Sequence, residues 1–161
     1  MRFEGRIALI TAGASGIGRA TADIIVAEGG TVVLIDTDKV RLDAAVAALQ
    51  VDEVVKAVAA EHGRIDILVN AVGGSTVITR AAATVDELTL AEWQRLLAFN
   101  LDGTFLFCHA VVPVMKRQRA GKIINISSVL GQVGLPGYSA YAASKSGVMG
   151  FTRALAAEWA R

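Results

Sequence analysis

The stretch from Arg6 to Arg19 leaves a chain few choices of fold. Arg6 to Thr11 (RIALIT) is a continuous apolar run of strand length. It passes directly into AGASGIGRATADIIVAEG, where Ile17, Ala20, Ile24, Ile25 and Ala27 recur at helical spacing. Gly13, Gly16 and Gly18 occupy the join, so a strand turns sharply into a helix. Thr31 to Asp36 (TVVLID) then reads as a second strand. Two apolar strands joined by a helix form a βαβ unit with parallel strands, and a chain built this way is an α/β, doubly wound sheet. A glycine turn between strand and helix also brings backbone amides to a helix N-terminus, where they can hold a pyrophosphate.

The bulk numbers agree with one such domain. The 161 residues are 53% hydrophobic with 16 glycines, the make-up of a well-buried α/β protein. Net charge is +1, with acids and bases interspersed, which offers no footprint for nucleic acid or an anionic membrane. No uninterrupted apolar run reaches the ~18 residues of a membrane span, and MRFEGRIALIT reads as a strand entry rather than a signal peptide. A cytoplasmic location is the expectation. Cys108 is the single cysteine, cannot close an internal disulfide, and sits in the apolar run FLFCHAVV as a core filler. His62 and His109 have no Cys, His or paired carboxylates at ligand spacing, so no metal site is expected.

Further along, the pattern breaks. Leu42, Ala45, Val46 and Leu49 form one apolar stripe, and Val51, Val54, Val55 and Val58 form another. Continuing the first by three or four residues lands on Asp52 and Glu53, so the stripes do not join. Right-handed crossovers run outward on one face of a sheet and return on the other, so a strand belongs between the two helices. A segment missing between Gln50 and Val51 is the expectation. Asp66 to Asn70 (DILVN) is the next strand, a small-residue loop follows, and Thr89 with Glu92 forms a capping box for the helix carrying Trp93 and Leu97. Pro113 lies in the next helical stretch, where it removes one hydrogen bond.

The chemistry concentrates between Ile123 and Lys145 (IINISSVLGQVGLPGYSAYAASK). An apolar strand passes through a Gly/Pro loop into a helix with Tyr141 and Lys145 four residues apart, on one face. A phenol titrates near 10, and an ammonium beside it stabilises the phenolate, so Tyr141 can exchange protons nearer neutral pH. Ser128 ends the strand, at the carboxyl edge where ligands gather in open α/β sheets. A Tyr and a Lys one turn apart also describe an ordinary solvated face.

Together with the glycine loop and the FTRALAAEWA helix, this constellation resembles the classical short-chain dehydrogenase/reductase family. The resemblance runs from the turn near Thr11 to the end of the sequence and implies a single-domain, Rossmann-type doubly wound sheet over residues 1–161. It implies a catalytic set of Asn100, Ser128, Tyr141 and Lys145, with Asn100 placed by the pattern N-L-x-G-x-F and holding a water that links Lys145 to solvent. It implies cofactor contacts from Gly13, Ser15, Gly16, Ile17, Gly18, Asp36, Asn70, Ala71, Gly73, Tyr141 and Lys145. The departures are Ala12, where the family has its first glycine, and the sequence Asn70-Ala71-Val72-Gly73 in place of NNAG.

Asp36 ends the second strand eighteen residues after Gly18, where an acid accepts hydrogen bonds from the ribose hydroxyls of NAD and repels the 2′-phosphate of NADP. Neither Ser15 nor Thr37 offers a base for that phosphate, so the cofactor is read as NAD; the same acid also suits the first turn of a helix starting near Asp38. The expected activity is hydride transfer between NAD(H) and a small secondary alcohol or ketone. A non-catalytic NAD-binding protein, or a truncated structural or regulatory one, is the alternative. The family has a strand, with an acidic residue after it, at the Gln50–Val51 break, and it continues past Arg161 with two more strands and a segment covering the substrate. The working protein is therefore expected to be longer. The apolar face of Val148, Phe151, Thr152, Leu155 and Trp159 is first of all core; by resemblance it and the helix from Asn100 to Met115 also pair subunits in a homo-oligomer, a dimer or tetramer.

Overall fold

The computed structural model describes residues 1–36 and 44–159, the side chains of 44–49 excepted. They form two compact units: Met1–Ala71 with Leu106–Ile124, and Val72–Phe105 with the chain from Asn125 onward.

The first unit holds a four-stranded sheet in the order β2-β1-β3-β4. Strand β1 (Ile7–Thr11) is parallel to β2 (Thr31–Ile35), in register from Ile7↔Thr31 to Thr11↔Ile35, and to β3 (Ile67–Asn70), with Leu9↔Leu68. Both β1 and β3 are buried at every position, which is why they read as unbroken apolar runs. β2 and β4 (Lys122–Asn125) form the edges and are only partly covered.

Helix α1 (Gly16–Ala27) forms where the apolar spacing predicts it. Two of those large apolar residues are outside: Ile17 is 60% and Ile24 55% exposed. Gly18, Ala22 and Ile25 are the buried face, and Ala22 and Ile25 pack with Ala8, Ile10, Ile67 and Val69. The reason is steric. A Cβ on Gly18 would lie 2.2 Å from the Ala12 carbonyl oxygen, so this helix meets the strand end through a residue with no side chain, and size rather than hydropathy sets its facing.

Helix α2 (Ala44–His62) spans the Gln50–Val51 position at which a missing segment is expected. No strand interrupts it, and the helix runs straight through Gln50 and Val51. Nothing there breaks a helix: neither Gly nor Pro is present, and propagation adds a hydrogen bond per residue fixed. Of the later stripe, Val55 and Val58 are buried while Val54 is exposed. The side chains of the earlier stripe, Leu42, Ala45, Val46 and Leu49, lie outside the described residues, as do Thr37 and the helix start expected near Asp38.

Asp66, just before β3, is buried and pins the N-terminal ends of two strands. It accepts from the Ile7 amide at 3.0 Å, from Arg6 at 3.0 Å and from both Nε and Nη2 of Arg64 at 2.8 and 2.6 Å. Burial alone would raise its carboxyl pKa, but Arg64, the Ile7 amide and Arg6 outweigh that and hold it below the usual carboxylate range.

In the second unit, helix α3 (Leu90–Leu97) begins at the expected capping box of Thr89 and Glu92. A π-helical turn (Ala98–Asp102) leads into α4 (Gly103–Gln118), which passes through Pro113 and continues into the first unit. By length and composition alone the helical stretch Leu90–Gln118 could cross a membrane. Its Leu96, Asn100, Cys108 and Val111 are, however, buried inside the protein. A 3-10 turn (Val129–Gly131) and α5 (Ser139–Trp159) complete this unit. Leu96 and Ala140 pack with Ile78, and Phe105 meets Phe151 edge-on with ring centres 6.1 Å apart.

Candidate active site

In the second unit Tyr141 and Lys145 share α5, and Gly73 stands against both Lys145 and Asn100. Lys145 is 3% exposed and faces no carboxylate in any ion pair among the described residues. Its Nζ donates to the Ile126 carbonyl at 2.9 Å. Burial pushes the ammonium pKa below the usual lysine range. Gly73 makes room for it: a Cβ there would lie 2.5 Å from Lys145 Nζ and 2.9 Å from Asn100 Oδ1.

Asn100 is fully buried, and its amide is spent on backbone. Nδ2 donates to Leu96 O at 3.0 Å and Gly74 O at 3.1 Å, and Oδ1 accepts from Gly74 N at 2.9 Å. An Asn in a helix competes with the ladder. Here that competition accompanies the π turn, a distortion frequent at functional sites, and it tethers the Gly73–Gly74 bend to the helix. The backbone carbonyl of Asn100 accepts from the Thr104 hydroxyl at 3.0 Å.

Ser128 caps the 3-10 turn, its Oγ accepting from Leu130 N at 3.2 Å. With a lone pair used this way, the hydroxyl proton is free to donate elsewhere. Tyr141 stands one turn before Lys145 on α5 and is half-buried. It lines a small apolar cavity of about 10 Å³, room for about one water, with Ile78, Leu88, Leu96 and Tyr138.

Sequence reasoning missed the residues that hold this arrangement. Ser127 Oγ donates to the Lys145 carbonyl at 2.8 Å, Ser144 Oγ to the Tyr141 carbonyl at 2.7 Å and Ser146 Oγ to the Gly131 carbonyl at 2.7 Å. A Cβ on Gly131 would lie 3.0 Å from the Lys145 carbonyl carbon. No spacing in the sequence marks these partners.

The first unit carries the glycine turn. Ala12 takes φ 52° and Gly16 φ 53°, both left-handed. Two hydrogen bonds tie the turn to the end of β2: Gly13 N to Ile35 O at 3.3 Å, and Ala14 N to Asp36 Oδ2 at 2.9 Å. Ser15 is the N-cap of α1 but makes no side-chain cap, and the first helical turn contains no acid. Among the described residues the amides of Gly16, Ile17 and Gly18 have no side-chain acceptor, and Gly13 and Gly18 stand where a Cβ would collide. Such a turn suits an anionic dinucleotide. Asn70 is buried and donates to the Cys108 sulfur at 3.4 Å, and Ala71 N donates to Thr11 Oγ1 at 3.0 Å. Thr11, a buried hydroxyl closing an apolar strand, was recognisable from sequence as a group that must find a partner.

An α/β fold with a glycine turn at a helix N-terminus and a Tyr/Lys helix is the architecture of a dinucleotide-dependent oxidoreductase. A family profile described as short chain dehydrogenase matches residues 6–52 and 40–161. The 3-oxoacyl-[acyl-carrier-protein] reductase FabG of Thermotoga maritima is 42% identical over 178 residues, covering 99% of this chain and 70% of that protein. The 2-dehydro-3-deoxy-L-rhamnonate dehydrogenase (NAD(+)) of a Sphingomonas species is 39% identical, with 99% of this chain and 68% of that protein covered. The crystal structure of NAD+-bound xylitol dehydrogenase superposes with a TM-score of 0.90 at 27% identity, over 99% of this chain and 67% of that one. The chain belongs to the short chain dehydrogenase family, oxidoreductases that use a nicotinamide cofactor and act on alcohols or ketones. It spans about two thirds of the length of these relatives.

Proposed function

We propose that this chain carries the cofactor-binding and catalytic parts of an NAD-dependent dehydrogenase for a secondary alcohol, running also in reverse on the ketone. The observation that carries the reading is the buried Lys145, one helical turn from Tyr141 and without an acid partner among the described residues. A nicotinamide, when bound, would supply the acceptor for hydride from the substrate carbon. Tyr141 takes the hydroxyl proton, Ser128 donates a hydrogen bond to the substrate oxygen and orients it, and Lys145 places a positive charge one helical turn from the phenol. Asn100 shapes the bend at Gly73 that leaves space for Lys145 and stands on the proton path. Gly13, Ser15, Gly16, Ile17 and Gly18 would hold the pyrophosphate, Asp36 would meet the adenosine ribose, and Asn70, Ala71 and Gly73 would line the nicotinamide side. NAD rather than NADP is favoured by the charge of Asp36.

Tyr141→Phe tests the assignment. Turnover should fall at least about a thousandfold while NAD affinity changes less than about twofold; retained turnover would remove Tyr141 from the proposed role.

A second reading keeps the fold and the cofactor but not the turnover. It is favoured by a specific observation: the alignment with the Thermotoga protein runs over 178 residues whereas this chain has 161, and the family profile matches in two pieces that meet between residues 40 and 52. Both support a domain shortened near Gln50–Val51. NADH binding with no hydride transfer to any of a panel of alcohols and ketones would favour this reading. For assembly, the exposed Phe105 and Trp159 support a homo-oligomer, and a single cysteine, buried, supports a cytoplasmic setting.

A further inference from the structure

We propose that Asp36 is a positioning residue for the glycine turn, separately from any contact it makes to ribose: through Oδ2 it holds the Ala14 amide and keeps the turn in its binding shape before a dinucleotide arrives. The inference rests on the reading of that turn as the cofactor site. The turn has reason to need an anchor. Two of its residues are in the left-handed region, and at one of them, Ala12, an L side chain opposes that conformation. Ser15 supplies no side-chain cap to α1, so the turn lacks the usual local bond that fixes a helix start. Of its two ties to the end of β2, Gly13 N to Ile35 O needs only backbone, whereas Ala14 N to Asp36 Oδ2 depends on this one side chain.

The chemistry of the contact fits the role. A carboxylate accepting an amide makes a charge-assisted hydrogen bond, stronger than a neutral one. The first turn of α1 has no acid of its own, so Asp36 brings, from the next strand, the negative charge that the amides and dipole at that end favour. Since Oδ2 is engaged by Ala14, Oδ1 is the oxygen left for ribose hydroxyls. Two demands therefore fall on one residue and differ in kind. Anchoring needs an oxygen acceptor; repelling a 2′-phosphate needs a charge.

Asparagine keeps the first and loses the second, and alanine loses both. The experiment measures amide hydrogen exchange at Ala14 in the cofactor-free protein, with Leu9 in β1 as internal control, and equilibrium binding of NAD and NADP, for the parent, Asp36→Asn and Asp36→Ala. Ala14 exchange should rise roughly tenfold in Asp36→Ala and stay within about twofold in Asp36→Asn, with Leu9 unchanged in both. Both variants should lose discrimination against NADP, and Asp36→Ala should bind both dinucleotides roughly fivefold more weakly than Asp36→Asn. Equal Ala14 exchange in all three proteins would overturn the anchor, whatever the cofactor ratio does. Unequal exchange with an unchanged NAD/NADP ratio would leave the anchor standing and remove the reading of Asp36 as the NAD selector.

Discussion

The glycine turn of the first unit and the lysine pocket of the second are built by opposite means. The turn is shaped by missing side chains: Gly18 lies against the Ala12 carbonyl and Gly13 against Leu34. It is open to solvent, and its polar groups are backbone amides. The pocket is shaped by side chains that are present and fully engaged. Asn100 spends its amide on three backbone groups, Lys145 spends a proton on Ile126, and three serines bridge to carbonyls. The difference fits the role proposed for each. A site for a large anion needs donors that approach closely and reorganise little. A site that moves a proton needs a charge removed from water, and every buried polar group around it must then be paired.

The first way to break this contrast is to add atoms to the turn. Gly18→Ala places a methyl against backbone that cannot move aside, and unfolding in urea should show a loss of about 3 kcal/mol. Removing atoms from the pocket comes next. Asn100→Ala orphans the Gly74 amide and carbonyl and the Leu96 carbonyl, and the loss should be about 2.5 kcal/mol in the same assay. A result near zero would mean that water replaces the amide and that the pocket is less closed than the turn.

Asp66 sharpens the contrast, because it is a pocket-like device inside the first unit, at the opposite end of β1 from the glycine turn. Its folded pKa lies below the unfolded value of about 4. Its contribution is therefore complete above that value and is lost as pH falls through the folded pKa. The two arginines are about half exposed, so screening keeps the contribution near 1 kcal/mol. Stability measured from pH 6 downward should decline less steeply in Asp66→Asn than in the parent. The smallest effect runs the other way. Ala12→Gly relieves a left-handed alanine and should stabilise the protein by about 0.5–1 kcal/mol, read as a raised urea midpoint with unchanged slope.

What the chain declares locally survived folding intact. The Thr89–Glu92 capping box is present because its partners are three residues apart and need nothing else. Tyr141 and Lys145 share a helix face because their spacing is four. The apolar runs at Ile7 and Ile67 became the buried strands because only a doubly covered sheet tolerates such runs. On α1 the inner face is set by how closely Gly18 must approach Ala12, a distance across the fold that composition does not carry. At Gln50–Val51 the backbone runs as one continuous helix, because unmatched stripes are a statement about packing partners and not about hydrogen bonds along the helix; the missing segment they point to accords with a 178-residue alignment of a 161-residue chain.

Residues 126–131 and 144–146 meet through Ser127, Gly131 and Ser146, whose partners lie fifteen or more positions away. Hydroxyl bonds to distant carbonyls have no period and no motif. The sequence by itself determined which elements form, their caps, and which titratable groups share a face. Tertiary structure decided the depth of Lys145, the three hydrogen bonds of the Asn100 amide, and the grip of Asp36 on Ala14. Burial and long-range hydrogen bonding depend on what the rest of the chain brings alongside, whereas helix spacing and turn chemistry act between neighbours.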